Sequence, residues 1–131
     1  TLIIGSDGSD VLESGDDGGV FFGNACDDQI TGGAGVDQLS GNRGDDTLEG
    51  GAGNDVIDGG AGTDTLKFEE SGANTTALTL TTAGATNFEN LTGTSGAETL
   101  TGDANANVLK GLGGVDTLYG LGGMDRDKAA V

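Results

Sequence analysis

Gly32-Gly33-Ala34-Gly35-Val36-Asp37-Gln38-Leu39-Ser40 is one copy of a nine-residue pattern that runs before and after it without a change of phase. Numbered one to nine, the unit has glycine at one, two and four, aspartate at six and a large apolar residue at eight. Position six is occupied in turn by Asp10, Gly19, Asp28, Asp37, Asp46, Asp55 and Asp64, and position eight by Leu12, Phe21, Ile30, Leu39, Leu48, Ile57 and Leu66. Ile3 precedes Leu12 by nine residues, so the repeat is already running at the start, and the chain reads as a piece of a longer protein.

Each unit divides into six turn-forming residues and three strand-forming ones. Glycine at positions one, two and four supplies backbone conformations that other residues adopt only at a cost. Positions seven to nine, as in Val11-Leu12-Glu13 and Gln29-Ile30-Thr31, alternate outward, inward, outward, the pattern of a short strand with one buried face. A chain that reverses at every unit makes one coil of a flattened right-handed spiral from two units, with alternate turns stacked on the same edge. Coils spaced as hydrogen-bonded strands lie about 4.8 Å apart. Asp10, Asp28, Asp46 and Asp64 then form one column, and Asp37 and Asp55 the other. Bare carboxylates at that spacing repel, and a divalent ion between turns reverses the sign of the interaction.

Composition points the same way. The 131 residues suffice for one domain but include 28 glycines, no proline, tryptophan or histidine, and few aromatics, so a thick core is not expected. Twenty-two acids against five bases (Arg43, Lys67, Lys110, Arg126, Lys128) give a formal charge of −17. With no basic patch, nucleic acid, polyanionic glycans and anionic membranes are excluded as partners and cations are favoured. A chain this acidic and this weakly hydrophobic does not collapse unaided. Cys26, the one cysteine, excludes an internal disulfide. No apolar run reaches the roughly 18 residues of a membrane span, so this segment is not expected to insert, and no cleavable leader pattern is present.

The pattern predicts a first repeat block over 1–67, an irregular spacer over 68–90, a second, degenerate block over 91–127 and a frayed or truncated tail over 128–131. In the spacer, Ala77-Leu78-Thr79-Leu80-Thr81-Thr82 has Thr-rich strand alternation, which places Leu78 or Leu80 on one strand between longer loops that bind no metal. Leu91, Leu100, Leu109 and Leu118 resume the inward ladder. The 34 residues from Asp64 to Glu98 are two short of four units, which predicts two arrays out of register. Position six of the second array reads Glu98, Asn107, Asp116 and Asp125, and its glycines are sparser, so weaker or absent ion sites are expected until the turn of Asp116. Asp127 falls where a buried apolar residue belongs.

Gly-Gly-x-Gly-x-Asp-x-apolar-x is the nonapeptide of RTX proteins, and the units at Gly32–Ser40, 50–58 and 59–67 match it in full. The chain resembles that family strongly over residues 2–67 and more loosely over 91–125. The segment ending Phe88-Glu89-Asn90-Leu91 also looks like the spacer between repeat blocks of large RTX toxins and adhesins. The resemblance implies an all-β parallel β-roll, a β-solenoid, with several calcium ions held between stacked turns by position-six carboxylates and turn carbonyls. Carried over, the carboxylates are Asp28, Asp37, Asp46, Asp55 and Asp64, then Asp10, Asp116 and Asp125. The carbonyls are those of Gly33, Gly35, Gly51, Gly53, Gly60 and Gly62. Gly19 offers no carboxylate and Cys26 replaces a turn glycine, so weak or missing sites are expected in those two turns. Ion chemistry agrees independently: calcium accepts six to eight oxygens in irregular geometry, whereas magnesium demands an octahedron, and zinc or copper prefer nitrogen and sulfur, of which this chain offers no histidine and one cysteine.

Other readings are weaker. A solvated acidic face in a disordered glycine-rich chain does not account for strict spacing with co-occurring glycines. Asp7-Gly8-Ser9-Asp10 lacks the bidentate acid and flanking helices of an EF-hand. Asp27 and Asp45, at position five, read as surface charge density rather than ligands. Cys26 has no histidine to activate it, so it is a tolerated turn substitution rather than a nucleophile, and the chain is not expected to be an enzyme. Positions three and five show no Thr or Asn ladder for ice, and the scattered bases make no track for alginate. The expectation is a calcium-dependent folding module of a secreted or cell-surface bacterial RTX protein, exported unfolded by type I secretion, with calcium and the neighbouring domains of its parent as partners. An adhesin or surface-layer element and an accessory module of an exported protease, lipase or epimerase are the alternatives.

Overall fold

The computed structural model describes residues 1–51, 55–68, 77–80, 86–121 and 126–129. Its strands are β1 (Leu2–Ile4), β2 (Val11–Glu13), β3 (Val20–Asn24), β4 (Gln29–Gly33), β5 (Gln38–Arg43), β6 (Thr47–Gly51), β7 (Val56–Ala61), β8 (Thr65–Lys67), β9 (Ala77–Thr79), β10 (Asn90–Thr92), β11 (Thr99–Thr101), β12 (Val108–Leu112), β13 (Thr117–Tyr119) and β14 (Arg126–Ala129). Odd-numbered strands from β1 to β7 form one parallel sheet, β9, β11 and β13 a second, and even-numbered strands from β2 to β14 a third. Because sequential strands alternate between facing sheets and every pairing is parallel, the chain is an all-β solenoid, a β-roll.

Register follows the repeat. Ile3, Phe21, Leu39 and Ile57 are successive partners on one side, and Leu12, Ile30, Leu48 and Leu66 on the other. Since side chains alternate along a strand, the position-eight residues of both sheets face each other in a core one side chain thick. Phe21, Leu48, Leu66, Leu91, Leu100 and Leu109 are fully buried in it. Burial of each large apolar side chain contributes about 1.5–3 kcal/mol, and with one per unit the core alone is thin.

The two blocks are not out of register in space. A longer coil takes up the sequence offset: Leu66 pairs with Leu91, 25 residues on, and Leu91 with Leu109 at the regular 18. Inside that coil β9 sets Leu78 opposite Leu100, Thr86 bridges to Asp58, and Leu80 and Phe88 join the core. The other spacer residues lie outside the described set. At the far end β14 pairs with β12, setting Asp127 opposite Leu109 and reaching two residues into the stretch expected to carry no repeat.

Seven of these strands, β1, β2, β8, β9, β10, β11 and β13, have the three residues expected, and the others are longer. In β3 to β7 they run on into positions one and two, and the position-one glycines Gly23, Gly32, Gly41, Gly50 and Gly59 are buried, inward-facing strand residues without positive φ. Glycine at position one is therefore selected for space, not for turn geometry. A Cβ on Gly23, Gly41, Gly50 or Gly59 would meet Oδ2 of the aspartate five residues on, and one on Gly32 would meet Asp37. The unit without an aspartate, at Gly19, has Ser14 at position one.

Candidate metal centre

Strand pairing lifts the position-six residues into two ladders along the edges of the roll. Each aspartate offers Oδ1 to the backbone amide of the turn 18 residues earlier. Asp10, Asp28 and Asp46 donate their N–H groups to Asp28, Asp46 and Asp64, each at 2.8 Å. On the opposite edge Gly19 donates to Asp37 at 2.7 Å and Asp37 to Asp55 at 2.9 Å. In the second block Glu98 donates to Asp116 at 3.0 Å. Oδ1 is thereby satisfied and fixes the carboxylate plane.

Oδ2 is the chemically informative atom. In Asp28, Asp37, Asp46, Asp64 and Asp116 it is buried without a hydrogen-bond partner, although the first four of these residues expose 1% or less of their surface. A buried acceptor left bare costs about 1–3 kcal/mol, and more when charged. Burial pushes the carboxyls of Asp28, Asp46 and Asp55 above their usual range, opposed by the amide that each accepts and reinforced by neighbouring acids. Asp64 is pushed up to about 6 by burial, with Asp46, Glu89 and Asp45 adding repulsion. Orphaned, desolvated carboxylate oxygens in a column fit a hard divalent cation, which supplies both ligation and compensating charge.

Backbone carbonyls approach from the stacked turns. A Cβ on Gly51, Gly60, Gly44 or Gly62 would stand against the carbonyl oxygen of Gly33, Asn42, Cys26 or Gly44, the equivalent residue of the previous coil, and one on Gly23, Gly32, Gly41 or Gly59 would meet both Oδ2 of the aspartate of its own unit and the carbonyl of Gly41, Gly50, Gly59 or Asn87. Of the glycines expected to supply carbonyls, Gly33, Gly51 and Gly60 at position two and Gly62 at position four have positive φ, whereas Gly35 does not, and a Cβ on it would meet the backbone of Gly18. Gly53 and Asp125 lie outside the described residues. Among the described residues no three His, Cys, Asp or Glu side chains converge on one point. A cation here would draw on carboxylate and main-chain oxygens together.

The remaining acids differ in kind. Asp10 has both oxygens engaged, by Ser6 N at 2.6 Å and Ser6 Oγ at 3.0 Å to Oδ2 and by Ser6 Oγ at 3.2 Å to Oδ1. Gly19 bears no carboxylate, and a Cβ there would meet the outer edge of the Phe21 ring, which would have to shift to admit it. Cys26 takes the left-handed conformation of the glycine it replaces, with φ 69°, and donates its thiol to the Asp7 carbonyl at 3.2 Å. The turn of Cys26 is thus built like its neighbours.

Sequence reasoning missed Glu89 and the acids at position five. Glu89 receives the Asp64 amide at 2.7 Å and continues the first column; the signal was Leu91 at position eight, which makes Glu89 position six. Asp27 and Asp45 are more than surface charge: Asp45 N donates to Asp27 at 2.8 Å and Thr63 N to Asp45 at 2.9 Å, a second ladder of opposite polarity.

Among the described residues no helix is long and apolar enough to cross a membrane. Comparison with curated proteins returned no match. The RTX calcium-binding nonapeptide repeat (4 copies) matches residues 4–39, 32–66 and 92–126. Stacked turns, orphaned carboxylate oxygens and repeat matches over most of the length agree: the chain belongs to the RTX calcium-binding nonapeptide repeat family.

Proposed function

We propose that this chain is a calcium-dependent folding and structural module, without catalytic activity, of a secreted or cell-surface bacterial protein. The observation that carries the reading is the set of buried Oδ2 atoms on Asp28, Asp37, Asp46, Asp64 and Asp116. The fold desolvates these carboxylates and leaves Oδ2 of each without a partner, so without a counter-ion each opposes the folded state. Calcium, when bound, supplies the positive charge that offsets this. Asp28, Asp37, Asp46 and Asp64 would hold it, together with main-chain carbonyls of the stacked turns. Several such sites along two edges make folding depend on ion concentration.

Sites of about 10⁻⁴–10⁻³ M affinity, the range of extracellular modules, would be empty at cytosolic calcium and filled outside the cell. A chain of charge −17 is then extended during export and folds on arrival, which suits type I secretion. The test is far-ultraviolet circular dichroism in excess chelator and in millimolar calcium. Disordered signal in chelator and β signal with calcium is expected; full β signal in chelator sinks the reading.

One observation favours an adhesive or domain-docking role as well. On the outer face of the first sheet, exposed Leu2 and Ile4 lie beside Val20 and Phe22 in register. Either an adhesin or surface-layer element or the accessory module of an exported enzyme could use such a patch against a neighbouring domain of its parent.

A further inference from the structure

The turns fall into two classes, and the division follows the residue at position two; the Asp10 unit, which has the same acid at position six as the other class, separates the two positions. In the first class the position-two amide donates to the position-six side chain of its own unit. Ser6 donates to Asp10 Oδ2 at 2.6 Å, Thr94 to Glu98 Oε2 at 3.3 Å and Asp103 to Asn107 Oδ1 at 2.8 Å. None of these three donors has positive φ. In the second class position two is Asn24, Gly33, Asn42, Gly60 or Leu112, with φ of 84°, 110°, 75°, 94° and 67°. Among the described residues, the acids of those five units are the five whose Oδ2 is buried without a partner. The turn from Gly51 to Asp55 passes through residues outside the described set and is left aside.

Strand length shows the cause. In the second class, position two joins the sheet, with Asn24 paired to Asn42, Gly33 to Gly51, Asn42 to Gly60 and Leu112 to Ala129. In the first class β1, β10 and β11 stop at position nine, at Ile4, Thr92 and Thr101. A left-handed residue carries the peptide into the ladder, so its amide does not reach the carboxylate. A residue of ordinary conformation leaves that amide free to close the turn. Resting on the calcium-binding reading above, we propose that position two decides whether a turn takes an ion: left-handed there, the turn binds calcium; otherwise it is sealed by its own backbone and binds none.

Two consequences are specific to this chain. Among its described turns the second block has one competent unit, that of Asp116. Asn107 is built for a metal-free turn: its Nδ2 donates to the Glu89 carbonyl at 2.8 Å and to Asp103 Oδ1 at 3.1 Å, supplying from the side chain itself the positive pole that a carboxylate lacks. Leu112 reaches φ 67° without glycine's freedom or asparagine's tolerance, so the Asp116 turn is competent but strained.

The experiment compares Asn42→Gly with Asn42→Thr in the full chain, counting bound calcium by equilibrium dialysis and following the fold by circular dichroism. Both variants delete the amide side chain, but glycine accepts the left-handed region and β-branched threonine resists it. Asn42→Gly is expected to bind as many ions as the unmodified chain, and Asn42→Thr at least one fewer. Leu112→Gly, at a partly exposed site where little packing is lost, provides a second test should Asn42→Thr not fold. It is expected to tighten the weakest calcium step about tenfold, the equilibrium equivalent of left-handed strain at one leucine. Equal ion counts in the two Asn42 variants, or unchanged affinity in Leu112→Gly, overturn the assignment to position two while leaving calcium binding intact. An unmodified chain that binds no calcium overturns both readings.

Discussion

At the scale of the residue, each aspartate in the ladder has two oxygens with different employment. Asp46 illustrates it: Oδ1 takes the Asp28 amide, its own amide goes to Asp64, and Oδ2 is bare. Asp46→Ala removes one acceptor and one bare charge from the middle of a column, whereas Asp116→Ala acts in a shorter one. We expect Asp46→Ala to raise the calcium concentration at half-folding more than Asp116→Ala does, read from circular dichroism titrations; equal shifts would count against stacked, shared sites. Protonation follows the same logic. The ion-free fold holds a proton on Asp64 up to pH about 6, against 3.8 ordinarily, so between those values the folded state binds more protons than the unfolded chain. Stability without calcium therefore rises as pH falls from about 6 toward 3.8 and levels off below it. Asp28, Asp46 and Asp55 shift in the same direction. In chelator, acidification from pH 7 to pH 4 should increase β signal, while with calcium present the midpoint should move to higher calcium. Loss of β signal on acidification in chelator would contradict this.

At the scale of the element, the unit is a strand and a turn whose glycines serve different ends. Position-one glycine makes room for a carboxylate, and position-two glycine or asparagine permits the left-handed entry to the turn. Gly41→Ala would drive a methyl against Asp46 Oδ2 and the Gly59 carbonyl, and should destabilise the calcium-loaded fold by about 1–3 kcal/mol, the usual range for overpacking. Gly15→Ala meets nothing within 4 Å and has no positive φ, so its effect should stay within about 0.5 kcal/mol. Urea unfolding in saturating calcium distinguishes the two, and similar losses would refute the division of roles. The aspartate-free unit follows the same rule: Phe21 occupies the space beside Gly19, and Ser14 stands where no carboxylate needs room.

At the scale of the whole molecule, a core one side chain thick must hold a chain of charge −17, and the balance tips only when the edges are neutralised. Small-angle scattering should therefore report a radius of gyration approaching the unfolded ~37 Å for this length in chelator, falling toward ~14 Å with calcium, the solenoid lying somewhat above that globular figure. Magnesium at equal concentration should not produce the collapse, because an octahedral, hydrated ion is poorly served by irregular carboxylate and carbonyl oxygens. The period of nine in apolar residues, acids and glycines was enough to determine the roll, the inward ladder from Leu12 to Leu66 and the pairing of aspartates 18 residues apart, because a repeated local pattern can stack in register in few ways. Glu89 was legible too, two residues before Leu91, but its spacing from Asp64 hid it. Only the tertiary structure decided how the 25-residue coil restores register, that the position-one glycines of β3 to β7 are strand residues, and which oxygens remain bare. Those depend on the backbone dihedral of one residue per turn and on neighbours a full coil away, neither of which a linear spacing specifies.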